Sequence, residues 1–233
     1  MRRLLVFLLF LNLLAGAQAM DFQRVGSTLV LSGAVDGSDL ARLRDHLGIG
    51  GLRLVLLHDS PGGDLFNGYQ LADRIRSAGL DTAVSGKCES ACGLIFLGGV
   101  QRSFSDGTPL GETMVGLHGA YHFQTGAPLP ELSPRMAYVI RTLTDGRYPA
   151  DLLQRTVYPR HPHDLVYAFH PLRFLPEARP RGVMECQRQA DTQFKCTMLD
   201  GLDALAIGVL TNPEILPLDT ATKAVLARLP AAP

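Results

Sequence analysis

The chain has no excess of charge: 22 basic residues stand against 22 acidic ones over 233 positions. Without a basic surplus there is no electrostatic case for nucleic acid or an anionic membrane surface as partner. Internal repeats and low-complexity runs are absent, which sets aside repeat arrays and disordered tracts. Beyond the first nineteen residues no apolar run is long enough to span a bilayer. The redox spacing C-x-x-C is missing too. Cys88 and Cys92 are separated by three residues instead of two, which argues against thiol–disulfide catalysis.

What is present begins with a leader. Arg2 and Arg3 form a basic start, Leu4 to Leu14 an apolar stretch, and Ala17-Gln18-Ala19 a small-residue cleavage site ahead of Met20. Residues 1–19 are therefore expected to be an export signal, leaving a mature chain from 20 to 233 with no stable membrane anchor. Its removal takes two arginines away, so the counts become 20 and 22 and the net charge −2. About 214 residues suit one domain with a substantial core. An exported chain folds in an oxidising compartment, periplasmic or extracellular, so the four cysteines are first read as disulfide candidates.

Strand and helix signals alternate through residue 119. "STLVLSGAV" (27–35) and "LRLVLLHDS" (52–60) read as strands, the second buried on both faces. "GSDLARLRDHLG" reads as a helix capped by Ser38 and stopped by Gly48, and "DLFNGYQLADRIRSAG" as a second helix ending at Gly79. "LDTAVS" is a short strand, and 90–98 a buried helix. "RSFSDG" and "TMVGLHG" are further strands, and "SPRMAYVIRTLTDG" is a helix opened by Ser133 and Pro134. This order argues an α/β domain with a largely parallel sheet, its core at about 27–146. From 147 to 233 the pattern loosens, apart from a hairpin carrying Cys186 and Cys196.

One short stretch, "SGKCESACGLIFLGG" at 85–99, combines features that acyl transfer requires. A nucleophilic serine needs exposure at the start of a helix, a base nearby, and N–H groups facing the developing oxyanion. Ser90 stands where strand gives way to helix, with small Ala91 and Gly93 beside it. "SPGG" at 60–63 sits in another strand-to-helix turn and offers N–H groups with no side chain in the way. His118 ends the strand "TMVGLHG", and in a parallel sheet the C-terminal strand ends share one rim.

"SPGG", a helix, "ESACG", and a histidine 28 residues after the serine in "GLHG" together resemble the Clp protease proteolytic-subunit fold of the crotonase-like superfamily. The chain most resembles its exported, cysteine-containing, periplasmic Clp-protease-like members. The resemblance covers about 27–145, with an echo at "DALAIGVLTNP" (203–213) of the family's terminal helix and strand. It implies a single-domain spiral of β-β-α turns, with the cysteine hairpin as a C-terminal insertion. It also implies Ser90 as nucleophile, His118 as general base, and Gly63, with Gly62, and Ala91 as the oxyanion hole. Family spacing points to Asp164 as triad acid, with Asp191, Asp200 and Asp203 as alternatives. No metal or organic cofactor is implied. The partner is a peptide or protein substrate, a homo-oligomer is expected, and an ATP-driven unfoldase does not fit an exported chain.

Other readings of the same residues stand beside this one. Ser90 could simply cap a helix, a common role for serine. Lys87 raises a Ser–Lys dyad, although a solvated lysine accounts for it. His118 and His122, with His161, His163, Asp164 and His170, could hold zinc if the two segments met. A Cys88–Cys92 disulfide would pin the turn presenting Ser90, and hairpin arms bring Cys186 and Cys196 within bridging distance. A silent member of the fold that binds peptides or assembles with envelope proteins is the alternative from another functional class.

Overall fold

The computed structural model describes residues 19–122, 124–161, 163–174, 181–189 and 193–230. The leader expected at 1–19 therefore lies outside the described residues except for Ala19, and so does Asp191. The rest is a mixed α/β domain around one sheet ordered β1-β2-β3-β4-β6-β7-β8-β9, with β5 branching from β4. Its first strands are β1 (Asp21–Val25) and β2 (Thr28–Ser32), an antiparallel pair turning at Gly26. Parallel crossovers follow: α1 (Asp39–Gly48) to β3 (Leu54–Ser60), then α2 (Leu65–Ser77) to β4 (Asp81–Glu89).

β4 is long enough to hold two neighbours. Its first half pairs with β5 (Arg102–Phe104) and its last three residues with β6 (Met114–Leu117), both parallel. The helix α3 (Ala91–Leu97), which links β4 to β5, is buried along its whole length. Period-2 alternation divides the central strands. Leu29, Leu31, Val55, Leu57 and Val84 join the main core, while Val30, Leu56 and Ala83 face the other way. The second face is closed by Leu226 of α6 (Thr220–Leu226) together with Leu216 and Leu218.

Several expectations need correction. The sheet is not largely parallel at its far end. β7 (Leu165–Ala168), β8 (Val183–Arg188) and β9 (Phe194–Met198) add three antiparallel pairings after β6. The loose region also holds α5 (Ala150–Val157), which packs beside α4 (Ser133–Leu143). Ser38 and Ser133 do not act as caps: Ser38 Oγ donates to Asp36 Oδ1, and Ser133 Oγ donates to Val157 O, tying α4 to α5. Gly48 stays inside α1, and the chain turns at Gly50 and Gly51, both at positive φ.

The 203–213 segment forms turns rather than a helix and a strand. Asp203 Oδ1 takes the N–H groups of Leu205 and Ala206. The fully buried Arg102 guanidinium takes the carbonyls of Gly208, Val209 and Gly99. Those contacts consume the backbone groups a regular element would have used. The Cys186–Cys196 disulfide joins the β8–β9 hairpin.

Candidate active site

The C-terminal ends of β2, β3, β4 and β6 converge on one rim, as the parallel register demands. β3 runs into Ser60-Pro61-Gly62-Gly63, which turns sharply before Asp64 caps α2 by accepting the Asn67 N–H at 2.6 Å. Val35, just beyond β2, grips this turn from both sides: its N–H donates to Gly62 O at 2.8 Å, and its carbonyl accepts the Asp64 N–H at 2.9 Å. In a parallel bridge of this kind the bonds come from the flanking residues, so the Gly63 N–H faces the opposite side. The Gly62 N–H is already engaged by Ser60 Oγ at 3.3 Å. Gly63 is thus the freer donor of the two.

Only glycine fits here. A Cβ on Gly62 would lie 2.6 Å from Ser90 Cβ and 2.8 Å from Ala91 N, and one on Gly63 would lie 2.2 Å from Val35 O. The same clash distances show that the glycine turn packs directly on Ser90. Ser90 itself adopts φ +58°, ψ −124°, a conformation that a side-chain-bearing residue holds only when its surroundings impose it. Three restraints do so: the Ser90 N–H donates to Gly116 O at 2.9 Å, Gly62 abuts it, and the Cys88–Cys92 disulfide straddles it. Its hydroxyl caps nothing, so the helix-cap reading of Ser90 does not describe this turn. As first residue of α3, Ala91 has an N–H without an intrahelical acceptor.

His118 lies just past β6, buried, and its Nδ1 is 2.7 Å from the Gly119 carbonyl oxygen. A carbonyl can only accept, so Nδ1 carries the hydrogen and Nε2 of the neutral ring keeps the lone pair. Burial holds the imidazole below its usual pKa. Tyr121 stacks on the ring at a centroid distance of 5.3 Å. Ser90, Ala91, Gly62, Gly63, His118 and Tyr121 line one cavity of about 580 Å³. Val35, Leu65, Leu94, Leu129 and Met136 form much of the remaining wall.

The candidate acids Asp164, Asp200 and Asp203 serve other groups. Asp164 accepts the N–H groups of Arg160 and His161 on Oδ2 and of Arg188 on Oδ1, which braces a loop. Asp203 caps its own turn, and Asp200 pairs with Arg181. Glu89, beside the serine, accepts the Tyr167 hydroxyl. Among the described residues the Nδ1 partner of His118 is a backbone carbonyl, not an acid. Lys87 points to solvent, and no group of three or more His, Cys, Asp or Glu side chains gathers to hold a metal among the described residues. The sequence reading had assigned no role to Gly119, Tyr121 or Val35. Gly119 stood in plain sight in "GLHG", whereas nothing in the pattern marks Tyr121 or Val35.

No family model and no curated protein sequence matches the chain. Among solved structures it is similar to the membrane-bound stomatin-specific protease 1510-N, at 14% identity over 84% of this chain and 81% of that one, with a TM-score of 0.47. It is also similar to ClpP1 from Listeria monocytogenes, at 13% identity over 85% and 94% of the two chains, with a TM-score of 0.48.

Proposed function

We propose that this chain is an exported serine hydrolase of the peptidase type, acting on peptides or flexible protein segments with a Ser90–His118 pair. His118 Nε2 takes the Ser90 proton as Oγ attacks the substrate carbonyl, then returns it to the leaving amine. The N–H groups of Gly63 and Ala91 receive the oxyanion. A water molecule repeats the sequence and frees the serine. The Gly119 carbonyl orients the ring and favours its charged form, the task a carboxylate performs in a triad. Asp164 braces the loop that follows. The apolar cavity wall suits a substrate with an apolar side chain next to the scissile bond.

The observation that carries this reading is Ser90 itself. It is held at positive φ with a hydroxyl that caps no helix N–H, in one cavity with His118 and the glycine turn. Export follows from the leader sequence, and two disulfides suit an oxidising compartment. A homo-oligomer working without an ATPase completes the proposal. The test is hydrolysis of a peptide library by the mature protein: Ser90→Ala and His118→Ala each abolish cleavage if the proposal holds, and unchanged cleavage in either contradicts it. A second reading, a silent fold that binds peptides, draws on His118 Nδ1 meeting a backbone carbonyl where a triad would have a carboxylate. Binding of peptides with no turnover by the wild type would favour it.

A further inference from the structure

A buried acid at the start of α1 lacks a full partner. Asp39 is completely buried, yet its Oδ1 makes no hydrogen bond among the described residues. The Arg42 guanidinium stands off at 3.7 Å. Oδ2 accepts the Asp36 N–H at 2.8 Å. A buried carboxylate with an idle oxygen is costly unless a cation completes it, and burial pushes this one up to about 6, opposed by the Asp36 N–H bond and by Arg42 and helped by the charge of the Asp36 carboxylate.

Arg42, which stands off Asp39, also bridges to Met20. The Met20 N–H favours the charged form of Asp39, its side chain is fully buried in the main core, and its carbonyl accepts from Arg42 Nη1. Met20 is also the residue that follows the A-x-A cleavage site. In the uncut chain Met20 offers Asp39 a single amide hydrogen. Hydrolysis of the Ala19–Met20 bond adds one water: Ala19 leaves as a carboxylate, and Met20 gains an amine that is protonated at neutral pH. One neutral donor is thereby replaced by three donors and a positive charge, on the residue that Arg42 ties to Asp39.

We propose that Asp39 is the receptor for the processed N-terminus: the Met20 α-ammonium group pairs with its carboxylate and locks the turn that holds the oxyanion glycines. The connection to the site is short. Asp39 fastens Asp36 through the bond to its N–H, and the preceding residue, Val35, holds Gly62 and Asp64 on either side of Gly63. Removal of the leader then does two things at once: it releases the chain and completes the buried pair under the catalytic turn. The inference rests on the export and hydrolase readings above, but its first arms need no catalysis.

Mass spectrometry of the exported protein is expected to find Met20 as first residue, and any other start overturns the proposal. Next, thermal melting compares the chain starting at Met20 with one carrying Gly-Ser ahead of it, each with Asp39 and with Asp39→Asn. The extension is expected to lower Tm by roughly 5–10 °C in the Asp39 background and by little in the Asp39→Asn background. Equal Tm values with and without the extension, or the same loss in both backgrounds, overturn the pairing. Should Asp39→Asn fail to fold, α-amine acetylation of the native chain replaces it, with the same Tm loss expected. Finally, the fluorophosphonate labelling rate of Ser90 is expected to fall at least tenfold in the folded, extended chain. An unchanged rate refutes the link to the oxyanion turn. A wild type that never labels refutes the hydrolase reading while leaving the Tm result standing.

Discussion

His118 Nδ1 lies 2.7 Å from the carbonyl oxygen of Gly119, so the ring is aimed by the chain's own next residue. The bond fixes the tautomer and leaves Nε2 with its lone pair, and Asp164 is engaged elsewhere. Asp164 holds three backbone N–H groups from Arg160, His161 and Arg188. Asp164→Ala should therefore cost about 1–2 kcal/mol of stability while leaving peptide cleavage within about threefold of wild type. Loss of a true triad acid costs about 10⁴-fold. Denaturant melts and steady-state kinetics on one variant separate the two.

Protonation sets a direction for pH. Burial depresses His118 below its ordinary value, so it remains an available base in mildly acidic solution. Cleavage should hold as pH falls past about 6.5 and fail only below the depressed pKa. Stability should move the other way. His46, His118, His163 and His170 are all depressed by burial, so the unfolded chain binds protons first as pH falls through about 6.5. Asp39, which burial raises to about 6, pulls the other way in the same window, but one carboxyl stands against four imidazoles, so stability is lost on acidification and Tm measured from pH 7.5 to 5 should decline. A flat or rising profile would refute this.

The glycine turn gives a sharp steric test. Gly62→Ala places a methyl group within 2.8 Å of Ser90 Cβ, Ala91 N and Glu89 O, at a φ of +84° that alanine resists. The nucleophile and an oxyanion donor must then shift together. A fall in kcat of about 100-fold or more is expected, with a cooperative melt retained. Wild-type kcat in Gly62→Ala would mean that this turn does not form the oxyanion hole.

The two disulfides should behave differently on removal. Cys88–Cys92 closes a short loop around Ser90, whereas Cys186–Cys196 staples a hairpin at the far end of the sheet. Chain-entropy arguments give each about 2–3 kcal/mol. Replacing Cys88 and Cys92 by alanine should also slow turnover, because the restraint on the positive-φ serine is lost. Replacing Cys186 and Cys196 should lower Tm alone. Equal kinetic effects from the two pairs would contradict this.

The part of the molecule legible in the sequence is the part governed by local rules. The buried runs of β2 and β3, the glycine turn at 62–63, the helix after Asp64 and the serine turn follow from periodicity and from positions that tolerate no side chain. Two capping serines were misread because hydroxyls can serve distant carbonyls, as Ser133 serves Val157. Residues 203–213 carry helix-like composition, yet Arg102, about a hundred positions away, claims their carbonyls. The antiparallel addition of β7 was hidden by the surrounding prolines. At the site, spacing along the chain drew attention to Asp164, but no spacing rule could reveal that a backbone carbonyl held the histidine. Tyr121 stacking on His118 is likewise a relation made only in the fold.

The most direct measurement is labelling of the mature protein with a fluorophosphonate, followed by mapping of the modified peptide. The account predicts a single adduct on Ser90, lost in Ser90→Ala and in His118→Ala and retained in Asp164→Ala. A folded, oxidised wild type that takes up no label, or an adduct on any other serine, would contradict it.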